Sequence, residues 1–262
     1  MTTIAPAVAA EATRAGGRRS PWWLVAVPLG VAVPVGTTYA VAAISERFAT
    51  MTTTTISVSA AESTNSVYWV INLGVLILAV GAAYAQASAT RGATADTERY
   101  LFGSPSTTIA ARVLFYGSIA AGLALAMVIG LMTTLPRLFP VVYGTVRLAS
   151  SAGLRFCWTV PLFAFCAAAL GVGLAALLDS AVATVAAILL WVGIVENAIA
   201  LIPNGMRVQQ YMPYLNGIYG TGQQLGLSPP WGINGALAYF CGIAAVAVAG
   251  GMAAAALRRM RD

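Results

Sequence analysis

The chain contains no lysine and no histidine, and all 14 of its basic residues are arginine. Without lysine it cannot form a phosphate-binding P-loop, whose Lys reaches the β- and γ-phosphates, or a Schiff base. Without histidine it lacks the base of Ser-His-Asp triads and the usual ligand of zinc and haem sites. We therefore expect no catalytic residue and no metal site, and ATP hydrolysis, if it powers the protein, has to occur on another chain.

Charged residues are also scarce. Only 8% of the 262 residues are charged and 59% are hydrophobic, whereas charged residues make up about 25% of an ordinary soluble domain. Each of the six apolar stretches has near the ~20 residues that a helix needs to cross a bilayer core, and lipid forces such stretches to be helical. The predicted spans are about 22–44, 67–87, 111–135, 156–178, 181–202 and 234–257. The sequence therefore predicts an all-α, polytopic membrane protein with six transmembrane helices.

The arrangement of the spans predicts the domain organisation and the orientation. We expect one transmembrane domain over 21–262, preceded by a disordered N-terminus over 1–20, which is rich in Ala and Thr. Arginines cluster near both termini, and basic residues flank spans on the cytoplasmic side. Both termini are thus predicted to be cytoplasmic in a multi-pass protein of the cell membrane. Many of the arginines behind the +6 net charge lie at helix ends, so nucleic-acid binding is not expected.

The loop after the second span carries the most distinctive soluble segment, residues 94–105. Asp96 can cap a short helix there, Gly103 can end that helix in a left-handed conformation, and Pro105 prevents it from continuing. We expect this short helix to lie at the cytoplasmic surface, with its aromatic and leucine side chains available for packing.

This arrangement resembles the permease subunit of type-2 ATP-binding-cassette (ABC) exporters, which commonly have six spans with both termini inside. The inner loop of that family often carries an acidic residue, a Leu-Leu-like pair, a small residue with Pro and then a basic residue. The matching positions here are Glu98, Leu101-Phe102, Ser104-Pro105 and Arg112. The resemblance implies a coupling helix in this loop. It also implies a broken outer segment before the last span, for which the Pro-, Gly- and aromatic-rich residues 203–233 suit a re-entrant or interfacial segment.

The resemblance also implies partners. Two permease subunits, identical or homologous, would pair in the membrane lipid, and each would dock one ABC ATPase subunit. ATP and Mg would bind to that partner, so this chain would hold no cofactor and would not be an enzyme. The residues expected to contact the ATPase are Asp96, Glu98, Arg99, Tyr100, Leu101, Phe102 and Pro105. An ordinary capped linker helix is the alternative interpretation of this segment.

Polar residues inside the spans are candidates for a substrate path, because ionisable groups are costly in lipid. Glu196 and Asn197 follow Trp191 in the fifth span, and Tyr68 and Asn72 share one face of the second. Glu196 can pair with an arginine of a neighbouring helix, face water or reach the outer interface. Hydrogen bonding between helices is the alternative for the face of Tyr68 and Asn72. An apolar path with scattered polar groups suits an amphiphile, such as a drug, a lipid or a peptide antibiotic.

Small residues and cysteines predict packing rather than chemistry. Gly171 and Gly173 in the fourth span, and glycines 242, 250 and 251 in the sixth, are expected to let helices approach closely. Cys157 and Cys166 lie on opposite faces of one helix, so they cannot form a bridge with each other. A contact between Cys157 and Cys241 stays open.

Two classes of function compete on this sequence. The favoured class is the transmembrane permease subunit of an ATP-driven exporter. The alternative is an ATP-independent, proton-coupled transporter or channel, which the few ionisable residues in the spans disfavour. An intramembrane enzyme ranks last, since the chain has no histidine and no paired-carboxylate motif.

Overall fold

The computed structural model describes residues 4–17, 20–51, 63–90, 96 and 100–261. Every regular element among them is helical. Six helices are long and apolar enough to cross a membrane. We label them α2 (Trp22–Thr50), α3 (Val70–Ala89), α4 (Pro105–Leu138), α5 (Ser151–Leu178), α6 (Ala181–Leu201) and α8 (Gly232–Arg259). The six predicted spans are thus confirmed, and the chain is a multi-pass membrane protein.

Among the described residues, two helices of nine residues or more lie outside the spans. The first, α1 (Ile4–Ala15), occupies the stretch for which the sequence favoured disorder. Its run of alanines has high helix propensity, and the helix packs against α4. The second, α7 (Pro213–Thr221), lies in the broken segment before α8 and packs against α5 and α8.

The centre of the bundle is α5, which packs against α3, α4 and α8. Two-thirds (67%) of its most apolar window is buried, compared with 17% for the corresponding windows of α6 and α8. We call the end of the bundle that carries α1 and the C-terminal arginines the inner end, and the end that carries α7 the outer end. The polar groups described below lie at these two ends.

Glycines allow α5 to contact two neighbours at backbone distance. A methyl group added at Gly171 would lie 2.5 Å from the carbonyl oxygen of Ala79 in α3, and one added at Gly173 would lie 2.6 Å from the backbone of Ala247 in α8. A methyl group added at Gly251 would lie 2.6 Å from the carbonyl oxygen of Gly173. The predicted role of small residues is confirmed at these positions, whereas Gly250 has open space around it.

Two details differ from the sequence-based expectations. The sulfur of Cys241 lies 3.2 Å from that of Cys166, so the cysteine contact involves Cys166 rather than Cys157. Gly103 does not adopt a left-handed conformation; the glycines with positive φ in the described part of the chain are Gly222 and Gly232.

Candidate functional site

A buried polar cluster joins α1, α3 and α4 at the inner end. The Nε of Arg112 donates to the Glu11 carboxylate at 2.8 Å, and its Nη1 donates to the Gln86 side-chain carbonyl at 2.9 Å. Glu11 also accepts from Arg14 at 2.5 Å. Arg112 and Gln86 are each 1% exposed and Glu11 is 5% exposed. Because a buried charge is costly unless it is paired, this cluster fixes the position of α1.

The sequence of α1 fits this role. Ala7, Glu11 and Ala15 are spaced four residues apart, so they share one helix face, and all three are buried. The two alanines let the helix come close to α4, and Glu11 supplies the charge that Arg112 requires. In sequence, Arg112 matches the basic residue that opens the third span in the ABC family. In the structure, it is a buried partner of Glu11 in α1 and Gln86 in α3.

An apolar groove with a volume of about 1,050 Å³ runs between α2, α3 and α6. Aliphatic side chains from all three helices form most of its walls. They include Leu29 of α2, Leu73, Leu76, Ile77 and Val80 of α3, and Val185 and Leu189 of α6. The groove is large enough for a drug-sized ligand, and its walls suit an apolar one.

Polar groups line the inner end of this groove. Arg14 and Tyr116 contribute to the lining there, and the hydroxyl of Tyr116 lies 3.5 Å from an Nη atom of Arg14. Trp22 also lines the groove and packs edge-on against Tyr116, with 4.8 Å between the ring centroids. The buried indole N–H of Trp22 has no hydrogen-bond partner among the described residues. The groove is therefore apolar along most of its length, and the guanidinium of Arg14 provides hydrogen-bond donors at its inner end.

The five residues predicted for the substrate path do not line this groove. Asn72 donates to the Tyr68 carbonyl of its own helix at 2.9 Å, and Asn197 donates to the Val192 carbonyl at 3.0 Å. Each of these side-chain amides thus donates to a backbone carbonyl of its own helix. Trp191 is half-exposed, and its indole N–H donates to Glu196 at 2.8 Å.

Glu196 is 1% exposed and caps the start of α7. Its carboxylate accepts from the backbone amides of Tyr214 and Leu215 at 2.9 and 2.8 Å, in addition to the indole of Trp191. A carboxylate at a helix N-terminus satisfies unpaired amides and interacts favourably with the helix dipole. Glu196 thus lies buried at the outer end of α6, where its carboxylate binds an indole and two backbone amides.

The opposite end of α7 is held by α5. The Nη2 of Arg155 donates to the Gly220 carbonyl at 2.8 Å, and the Thr159 hydroxyl donates to the Thr221 carbonyl at 2.8 Å. Gly222 then ends the helix at φ 110°, a left-handed conformation that favours glycine. Between the two ends, burial raises the pKa of the Tyr214 phenol above its usual range, and the nearby Glu196 charge adds to the shift.

A second glutamate caps a helical turn at the outer end. The carboxylate of Glu46, near the end of α2, accepts from the backbone amides of Val141 and Val142, both at 2.8 Å. These amides belong to the short turn Pro140–Tyr143 that follows α4. The sequence does not predict this contact, because every residue other than proline carries a backbone amide, whatever its side chain.

The predicted ATPase-contact segment is described in part. Glu98 and Arg99 lie outside the described residues, whereas Asp96 is helical and exposed. Tyr100 is 90% exposed and Leu101 is 56% exposed. The carbonyls of Phe102 and Gly103 accept from Arg259 at 3.3 and 3.0 Å, which ties this segment to the end of α8.

Pro105 is the first residue of α4. The third span therefore begins several residues before the predicted start at 111.

Comparisons with known proteins show no relative. No protein-family model matches the chain, no curated protein matches it, and no solved structure matches it.

Proposed function

We propose that this chain is the transmembrane permease subunit of an ATP-driven exporter for amphiphilic substrates. The observation that carries the proposal is the groove between α2, α3 and α6, which is apolar along its walls and polar at its inner end. An amphiphile could place its apolar body against the aliphatic side chains and its polar group near the guanidinium of Arg14. On this proposal the inner end faces the cytoplasm.

The proposed energy source is a pair of ABC ATPase subunits. Tyr100 and Leu101 support this part, because they leave an aromatic ring and an aliphatic side chain exposed on a segment outside the spans. Exposed apolar groups of this kind mark protein interaction sites when they form a patch. The contact of Arg259 with the Phe102 and Gly103 carbonyls would transmit a displacement of this segment to α8. A second permease subunit, identical or homologous, completes the proposed complex.

The alternative function, a proton-coupled transporter or channel, receives no support from Glu196. Three donors already bind its carboxylate, which suits a helix cap better than a site for proton exchange.

The first test is purification of the tagged chain from its native membrane in mild detergent, followed by mass spectrometry. We expect a near-stoichiometric ATPase with Walker motifs, and ATP turnover that responds to amphiphiles. A chain that is isolated alone or only with copies of itself, and that ATP does not affect, would contradict the proposal and favour the ATP-independent class.

The groove itself is tested by two adjacent leucines of α6. Leu189 lines the groove, whereas Leu190 does not, and both are about half-exposed (46% and 53%). Leu189→Trp should fill part of the groove and lower amphiphile-stimulated ATP turnover at least severalfold in proteoliposomes. Leu190→Trp should leave this turnover unchanged. Equal behaviour of the two variants would exclude the groove as the substrate path.

The docking segment is tested by Tyr100→Ala. Because Tyr100 is 90% exposed, the substitution should leave the permease folded but lower its recovery with the ATPase. Leu201→Ala is the control, since Leu201 is 87% exposed at the outer end. Normal ATPase recovery with Tyr100→Ala would contradict the docking role.

A further inference from the structure

A second cavity, with a volume of about 330 Å³, lies at the inner end between the ends of α3, α4, α5 and α8. Four arginines line it, namely Arg112, Arg258, Arg259 and Arg261, together with one carboxylate, that of Asp179. Even when Glu11 behind Arg112 is counted, the described residues around this cavity carry more positive than negative charge. An anion is the ligand that such a lining attracts.

Contacts with neutral groups hold two of the arginines in place. Arg258 donates to the carbonyls of Ala176 and Leu177 at the end of α5, and Arg259 donates to the Phe102 and Gly103 carbonyls. These carbonyl acceptors are neutral, so they orient the guanidinium groups and add no negative charge to the cavity. The Asp179 carboxylate lies 3.9 Å from the Nε of Arg258, at the limit of an ion pair.

The start of α4 adds a further positive contribution. Ser104 and Pro105 line the cavity, and the Ser104 side chain makes no capping hydrogen bond to the first turn of this 34-residue helix. The unpaired amides of a helix N-terminus and the helix dipole favour an anion. The end of α5, where the dipole has the opposite sign, is already occupied by Arg258.

The remaining lining is mixed, with apolar residues such as Ala89, Ile109 and Ala255 beside polar ones such as Gln86 and Thr108. The cavity therefore combines cationic groups with aliphatic surface at the ends of membrane spans, which is the depth of lipid headgroups. Basic pockets between transmembrane helices bind anionic headgroups. We propose that this cavity binds the phosphate headgroup of an anionic phospholipid from the inner leaflet. The proposal does not depend on the exporter function and concerns a cavity separate from the groove.

The test measures lipid binding to the purified full chain in a neutral detergent by native mass spectrometry. Phosphatidylglycerol and phosphatidylcholine with identical acyl chains serve as probes, and inorganic phosphate serves as the soluble one. We expect phosphatidylglycerol to bind at least tenfold more tightly than phosphatidylcholine, and millimolar phosphate to compete weakly. Equal binding of the two lipids would overturn the proposal. Displacement of phosphatidylglycerol by low phosphate concentrations would assign the site to a soluble phosphate compound instead.

Arg261→Gln locates the binding. Arg261 is exposed near the C-terminus, so its loss should leave the fold intact and weaken phosphatidylglycerol binding about fivefold, as expected for one arginine near a lipid headgroup. Arg207→Gln removes the same charge from an exposed position at the outer end and should have no effect. An Arg207→Gln effect as large as that of Arg261→Gln would show binding by overall charge and would overturn the assignment to this cavity.

Discussion

Glu196 at the outer end and Glu11 at the inner end are both buried, at 1% and 5% exposure, but their partners differ. Glu196 accepts from two consecutive backbone amides and one indole, which are neutral donors within 19 residues of it. Glu11 accepts from two arginines, one of them 101 residues away. The outer carboxylate therefore defines the start of one helix, whereas the inner one holds a separate helix against the bundle.

This difference determines what the loss of each group leaves behind. Without Glu196, two amides at a helix start lack an acceptor, which is a modest cost for neutral groups. Without Glu11, Arg112 stays buried and loses a carboxylate partner. The loss of an opposite charge beside a buried charge costs more than an unsatisfied amide. The inner end should thus be more sensitive to substitution than the outer end.

The largest effect is expected for Glu11→Leu. It leaves the Arg112 guanidinium buried without its carboxylate and should lower the free energy of unfolding by about 3–5 kcal/mol, measured by denaturation in mixed detergent micelles. The double variant Glu11→Leu/Arg112→Met should recover much of this loss, because the buried guanidinium is then removed together with the carboxylate. A single variant as stable as the wild type would show that α1 does not depend on this ion pair.

A smaller loss is expected for Glu196→Gln. The amide keeps the shape but places an NH₂ group opposite a backbone N–H of α7, so we expect about 1–3 kcal/mol of destabilisation. Hydrogen exchange at the amides of Tyr214 and Leu215 should accelerate. Glu46→Gln should accelerate exchange at Val141 and Val142 instead. Unchanged exchange at all four amides would contradict the capping role of both glutamates.

The middle of the bundle provides a reference that involves no charge. Gly251→Ala places a methyl group 2.6 Å from the Gly173 carbonyl and should cost about 1–3 kcal/mol through overpacking. Gly250→Ala meets no atom within 4 Å and should be neutral or slightly stabilising, because alanine has the higher helix propensity. Both values come from the same micelle denaturation. Equal values would show that α5 and α8 are not in backbone contact.

The smallest effect on stability is expected from oxidation of the cysteine pair. With sulfurs 3.2 Å apart, Cys166 and Cys241 should form a disulfide when copper phenanthroline and oxygen accept the two electrons. Mass spectrometry of the digested chain would identify the linked peptides. Cys157→Ala should not alter this product, and a linkage through Cys157 would contradict the register of α5 against α8.

The spans could be predicted because the hydropathy and the length of a segment determine by themselves whether it can cross a bilayer as a helix. Close helix approach was predictable for a similar reason, since glycines such as Gly171 and Gly173 indicate it directly. The polar contacts at both ends were not. Glu196 was recognised as an unusual residue, but its acceptor role depends on backbone amides 18 and 19 residues further along the chain.

The inner cluster was missed for a different reason. Residues 4–15 consist mostly of small residues, and neither their composition nor their hydropathy indicates a partner. The buried face of Ala7, Glu11 and Ala15 follows from helical spacing once a helix is assumed. The identity of Arg112 as the partner follows only from the packing of α1 on α4.

Because α7 is attached to both α5 and α6, these two helices are connected at both of their ends. The helices meet at the inner end through Asp179 and Ser180, and at the outer end they are linked through α7, which Glu196 of α6 and Arg155 of α5 hold at opposite ends. If α6 tilts away to widen the groove, the inner turn acts as the hinge and the outer link carries the tension. Each side of that link has two hydrogen bonds, but α7 also packs against α5 and α8. The Glu196 side therefore yields first, and α7 stays with α5 and α8.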